Sequence, residues 1–165
     1  MTAIKAILLL KPRLIFTDSY YKVILVDERL FFIKVGGQFY EGYDQIGGQS
    51  IILDILLWLP ERRNRKKRLK KLNKIRISLS TNPDHLMDDK NNYQMKISSI
   101  KAVHINENPS FHTGWSDNGK VFIEVGGKKQ KYILPLSGTP AKIISFFESA
   151  SIPIKLTKWG DIERL

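Results

Sequence analysis

Along the first third of the chain, apolar residues come in short runs broken by turn formers. Ile4–Leu10 is one run, Leu14–Thr17 a second before Asp18-Ser19, and Tyr20–Val26 and Leu30–Val35 flank Asp27-Glu28-Arg29. β-branched and aromatic residues dominate them, and a three-residue polar link is short enough to join antiparallel neighbours, so a hairpin is predicted there. Gly36-Gly37 ends its second strand, because paired glycines admit the positive φ of a sharp turn. Gln38–Gln45 reads as a loop anchored by Phe39, Tyr40 and Tyr43.

The periodicity changes at Gly47. Ser50 can cap a helix, and Ile51–Leu59 is apolar on every side except at Asp54, which predicts a helix that is buried or pressed on an apolar surface. Pro60 kinks that helix or opens another. Beyond it the chain is charged nearly all round, with Leu69 and Leu72 the only apolar residues before Ile75, so this part is expected to bury little. Arg76–Leu79 is expected to be extended. Asn82-Pro83-Asp84 then signals a short helix reaching Met87, and Asp88–Asn92 a polar turn.

Strands are predicted again at Tyr93–Ile97 and Ile100–Ile105. After a long loop through Pro109, Gly114 and Trp115 and a turn at Asp117-Asn118-Gly119, Lys120–Val125 and Gln130–Leu136 form a second hairpin around Gly126–Lys129. Thr139-Pro140 opens a helix over Ala141–Ser149 that places Ile143, Ile144, Phe146 and Phe147 largely on one side, so it should pack on the sheet. The tail, about 152–165, reads as an edge strand or a docked segment.

Length and composition narrow the class. A chain of 165 residues with 42% hydrophobic content suits one domain with an ordinary core. The absence of cysteine removes disulfides, thiolate metal sites and a cysteine nucleophile, and fits a reducing compartment, so a cytoplasmic location is expected, peripheral on the inner face of the membrane. The apolar run Ala6–Leu10 is too short for a signal-peptide core. Ile51–Leu59 falls well short of the roughly 20 residues a spanning helix needs; it can touch a bilayer but not cross one.

Charge changes the picture most. Between Glu61 and Arg76 stand ten Lys/Arg against one acid, a local net of +9 in a chain whose total is +11. Basicity is therefore a patch, and it points to an anionic partner. The candidate anionic-surface residues are Arg62, Arg63, Arg65, Lys66, Lys67, Arg68, Lys70, Lys71 and Lys74, with Leu56, Leu57 and Trp58 as membrane or partner contacts. Cations beside an apolar helix with an aromatic at the junction suit a headgroup layer, where each Lys or Arg contributes on the order of 1 kcal/mol. An acidic protein is the other partner of the same chemistry. Self-association as a homo-oligomer through the apolar helix 51–59 is the first alternative. Nucleic acid is the second; phosphate contacts would suit the cations, but few aromatics interleave them for base stacking. His85, His104 and His112 lack metal-ligand spacing, and no Gly-x-Ser-x-Gly elbow or phosphate loop occurs, so no catalytic residue, metal or cofactor is assigned.

Three segments carry a family likeness: Val26-Asp27-Glu28-Arg29-Leu30-Phe31-Phe32-Ile33; Asn92 to Val103, with Tyr93-Gln94-Met95-Lys96-Ile97 and Ile100-Lys101-Ala102-Val103; and Lys120–Leu136 followed by Pro140–Ser149. Their order resembles bacterial pleckstrin-homology-like and GRAM-type domains. The resemblance implies an α+β, mainly β fold: a single domain over 1–165 built as a bent, partly open β-barrel with a C-terminal capping helix and a central helix inserted at about 47–76. It also implies a non-enzymatic binding or scaffolding role, docking on lipids, peptides or partner domains. Together with the basic run, the expected function is docking on an anionic membrane surface.

Overall fold

The computed structural model describes residues 5–12, 18–37, 67, 69–115 and 117–157. Among these the fold is α+β and mainly β. Eight strands, β1 (Ala6–Lys11), β2 (Ser19–Val26), β3 (Arg29–Gly36), β4 (Tyr93–Lys96), β5 (Ile100–Asn106), β6 (Lys120–Val125), β7 (Lys128–Ile133) and β8 (Ile154–Thr157), form one sheet in the order β4-β3-β2-β1-β7-β6-β5-β8. All pairs are antiparallel except β5 with β8. Two α-helices flank it: α1, whose continuous described part is 69–81, and α2 (Pro140–Glu148).

Connectivity forces the sheet to curl. β4 and β5 stand six places apart in the order, about 29 Å if the sheet were flat. Only the 3₁₀ turn Ile97–Ser99 joins them, and the four steps from Lys96 to Ile100 reach about 14 Å at most. The sheet bends until these ends meet, but β4 pairs with neither β5 nor β8, so it does not close. β1 and β7 meet antiparallel only near their ends, Leu10 opposite Ile133, so the sheet folds over at that junction. The fold gathers the tight turns at 27–28, 97–99 and 126–127, where the Ile97 N–H donates to the Glu28 carbonyl and Ile100 stands opposite Val125. The junction itself, the loop end, collects the last residues of β1, β3, β5, β7 and β8 and the first of β2 and β6, with His112 against Asp18 and the Leu134 N–H on the Gly119 carbonyl.

Strands β2 and β3 explain why their apolar runs are unbroken. Leu30, Phe31, Phe32 and Ile33 are all fully buried in succession, which a strand allows only when both faces of the sheet are covered. Ile7, Leu9, Tyr21, Val23, Leu30 and Phe32 face the inside of the curl with Val103, Ile105, Val121, Ile123 and Tyr132. α2 seals that core with Ile143, Phe146 and Phe147, its first turn set by Pro140 and by the Lys142 N–H donating to the Thr139 cap at 3.4 Å. Leu10, Tyr20, Ile24, Phe31, Ile33, Val35 and Ile133 face the opposite side, where Ile75 and Leu86 join them with Leu72, Leu79 and Met87 at the margin.

Two expectations are corrected here. Residues 76–79 are helical, not extended, and α1 runs to Thr81. The basic helix buries only Ile75 and Ser78 among its described residues, but Ile75 with the half-buried Leu72 and Leu79, at spacings of three and four, makes a stripe that lies on the outer face of the sheet. The β6–β7 hairpin is tighter than predicted, turning through Gly126 (φ 55) and Gly127 (φ 74), so β7 starts at Lys128. The tail resolves in part as an edge strand, β8. The predicted strand 14–17, the loop 38–45 and the apolar helix 51–59 lie outside the described residues.

Candidate functional site

α1 is oriented by contacts at both of its ends. After it, Asn82 caps the 3₁₀ turn Pro83–Asp88 by accepting from the Asp84 N–H, and Arg29, at the start of β3, donates to the Asp84 carboxylate at 2.7 Å. Nearer its start, Lys71 Nζ donates to Asp89 at 3.1 Å. Asp89 leads into Asn92, whose side-chain oxygen accepts from the Lys34 N–H at 2.9 Å. Lys34 to Arg29 spans about 17 Å of strand, and Lys71 to Thr81 about 15 Å of helix. The helix therefore lies alongside β3 in the opposite direction, and its basic start points to the loop end.

At 100° per residue, the stripe Leu72–Ile75–Leu79 leaves Lys67, Lys70, Lys74 and Arg76 exposed, together with Leu69 and Ile77, which are 60% and 54% accessible. Of the predicted cations, Lys67, Lys70 and Lys74 thus share an outward side. Lys71 sits half-buried against Asp89, whose carboxyl is lowered to about 2, chiefly by the main-chain and side-chain N–H groups of Asn91 and then by Lys71. Arg62, Arg63, Arg65, Lys66, Arg68, Leu56, Leu57 and Trp58 lie outside the described residues.

A second feature at the loop end escaped the sequence reading. Between β5 and β6, Phe111 and Trp115 project from the loop with 81% and 64% of their surface accessible, in edge-to-face contact with centroids 5.3 Å apart. The loop beneath them is tightly bonded. The buried Asp117 carboxylate accepts from the Ser110 N–H at 2.9 Å, the Ser110 hydroxyl, the Thr113 hydroxyl and the Gly119 N–H at 2.8 Å. Gly119 has φ 119, and a Cβ there would collide with the Asn106 carbonyl oxygen. Trp115 holds φ 63, a left-handed conformation uncommon for a bulky residue. His112 Nε2 meets Asp18 at 2.8 Å, tying the loop to the start of β2. The Asn118 side-chain amide donates to the Leu136 carbonyl at 3.1 Å, tying it to the segment after β7.

Elsewhere the polar groups serve the scaffold. Inside the curl, the Tyr132 hydroxyl lies 2.6 Å from that of Tyr93 and donates to Gln130 at 2.9 Å; burial pushes it up to about 12. His104 and Lys101 bond Glu124 on the outer face, and these contacts hold its carboxyl below the usual range. A cleft of about 690 Å³ lies between β1 and α2, with Ile7, Ile143 and Phe146 among its lining and Lys5 and Lys142 beside them. Those lining residues include no carboxylate, imidazole or thiol, so the cleft can hold a ligand but offers no acid–base pair. Among the described residues, no group of three or more His, Asp and Glu stands close enough to hold a metal ion, and no helix is long and apolar enough to cross a membrane. Comparison with protein-family models, with curated proteins and with solved structures finds no match.

Proposed function

We propose that this chain is a non-enzymatic binding domain of the pleckstrin-homology-like type that docks on an anionic membrane surface through α1 and the basic run before it. The strand order supports the family reading: one meander β1 to β4, a second β5 to β7, joined side by side through β1 and β7, with a closing helix on the core between them. The observation that carries the docking reading is the mounting of α1. Its apolar stripe is spent on the sheet, so Lys67, Lys70 and Lys74 stand outward on a rigid support with Leu69 and Ile77 beside them. The backbone carrying these cations is already helical, so binding need not order it, and alternation with apolar side chains matches the boundary between headgroup and acyl chain.

Vesicle co-sedimentation tests it. The protein should sediment with acidic vesicles and not with neutral ones, release as salt rises, and lose binding when Arg62, Arg63, Lys66, Lys67 and Arg68 are replaced by Gln. Undiminished sedimentation of that variant would remove the reading. Tighter binding to nucleic acid than to acidic vesicles at physiological salt would replace it.

A further inference from the structure

The large apolar side chains exposed among the described residues are Leu69, Ile77, Phe111, Trp115, Leu136 and Leu156. Scattered singly, exposed apolar residues need no explanation. These are not scattered. Phe111 and Trp115 touch each other, and Asn118 bonds their loop to the carbonyl of Leu136. Leu156 pairs with Ile105 near the ends of β8 and β5, and Leu69 stands in the first described turns of α1. Five of the six thus lie toward the loop end, to which the basic start of α1 also points.

From this arrangement we propose that the loop end is the membrane-facing end, and that Phe111 and Trp115 are a preformed aromatic wedge entering the headgroup layer of an anionic bilayer. The inference rests on the docking reading and adds to it an orientation and an insertion element. Two features favour insertion over a loop that merely covers the core. The rings are not what the loop buries: the inward residues are Ser110, Asp117 and Gly119, and the aromatics stand in solvent. The backbone is fixed before any partner arrives, by four donor groups on one buried carboxylate and by the His112–Asp18 contact. Trp115, with an indole N–H on an apolar ring, favours the interface between water and acyl chain; Phe111 adds apolar surface to bury there, and a loop that is already ordered loses little freedom on entering it. Cations on α1 supply the charge complementarity that selects an anionic surface.

Site-directed labelling tests this directly, because the chain has no cysteine to interfere. Phe111→Cys carrying an environment-sensitive fluorophore is mixed with vesicles of phosphatidylserine and phosphatidylcholine, alongside Lys128→Cys at the opposite end as the control. The label at 111 should shift to the blue and be quenched by a nitroxide on the lipid acyl chain, while the label at 128 stays in water. In unlabelled protein, Phe111→Ala with Trp115→Ala should weaken partitioning by about tenfold or more, the loss expected for two aromatics denied burial. Vesicle-bound protein whose 111 label stays in water overturns the wedge and leaves the docking reading intact. A label at 111 that inserts equally well when the five basic residues are Gln supports the wedge and overturns docking by charge. Absence of binding to acidic vesicles overturns both.

Discussion

The two helices cover opposite faces of one sheet and do so with different chemistry. α2 has nine residues and buries Ile143, Phe146 and Phe147, with Phe147 wholly inaccessible. α1 is longer in its described part, yet its fully buried residues are Ile75 and Ser78, and Leu72 and Leu79 are only half-covered. The first is part of the core between the two arms of the curl; the second is an exterior helix held by a narrow apolar stripe and by polar contacts at each end. One sheet thus supports a helix that stabilises and a helix that presents. The division matters because a surface meant for a partner can be altered with little effect on the fold only if the fold does not depend on it.

Matched truncations on the two helices should expose this difference most strongly. Phe147→Ala removes a fully buried ring from the larger core and should cost about 3–5 kcal/mol, a large fraction of a domain's typical stability. The check is urea unfolding followed by circular dichroism. Ile75→Ala should cost about 2 kcal/mol, the low end for such truncations, since its cluster is partly open at Leu72 and Leu79. Its signature should be local. Amide exchange should rise in α1 and the 3₁₀ turn Pro83–Asp88 while β5, β6 and β7 keep their protection. If Ile75→Ala unfolded the molecule as completely as Phe147→Ala, α1 would be part of the central core and the contrast would fail.

The same contrast explains which features were readable from sequence. α2 announces itself through Thr139-Pro140 and a clean apolar face, and the two hairpins through short strong runs around Asp27-Glu28 and Gly126-Gly127. Even the double burial of β2 and β3 is written in Leu30-Phe31-Phe32-Ile33. What covers their outer face is not. The stripe Leu72–Ile75–Leu79 lies within a charged stretch, and Ile75 and Ile77 with β-branched side chains suggest a strand over 76–79; packing on the sheet overrides that local preference. Asp117-Asn118-Gly119 was legible as a turn, but that Asp117 reaches back to Ser110 and leaves Phe111 and Trp115 outside is a matter of tertiary geometry. An aromatic residue carries no mark in sequence of whether it is inside.

A smaller effect would sharpen the comparison at Asp89, the carboxylate that Asn91 and, from α1, Lys71 both bond. Asp89 bonds Asn91 and Lys71, and its folded carboxyl lies at about 2 against an ordinary 3.8. Because the value is depressed, the unfolded chain takes up the proton first as pH falls. The contribution is therefore complete above about pH 4 and decays as pH drops toward 2. With the side chain one-third accessible, solvent screening reduces it to about 1 kcal/mol or less at neutral pH. Asp89→Asn should lower stability by that amount at pH 7, and the gap between variant and wild type should shrink steadily from pH 4 to pH 2, measured by urea unfolding at each pH. Phe147→Ala, an apolar truncation, should show a gap without that slope. A gap at Asp89→Asn that stayed constant down to pH 2 would mean that the residue acts through its neutral hydrogen bonds alone. The Lys71 contact would then add no ionic contribution, and the ionic tethering of α1 would rest on Arg29 with Asp84 at its other end.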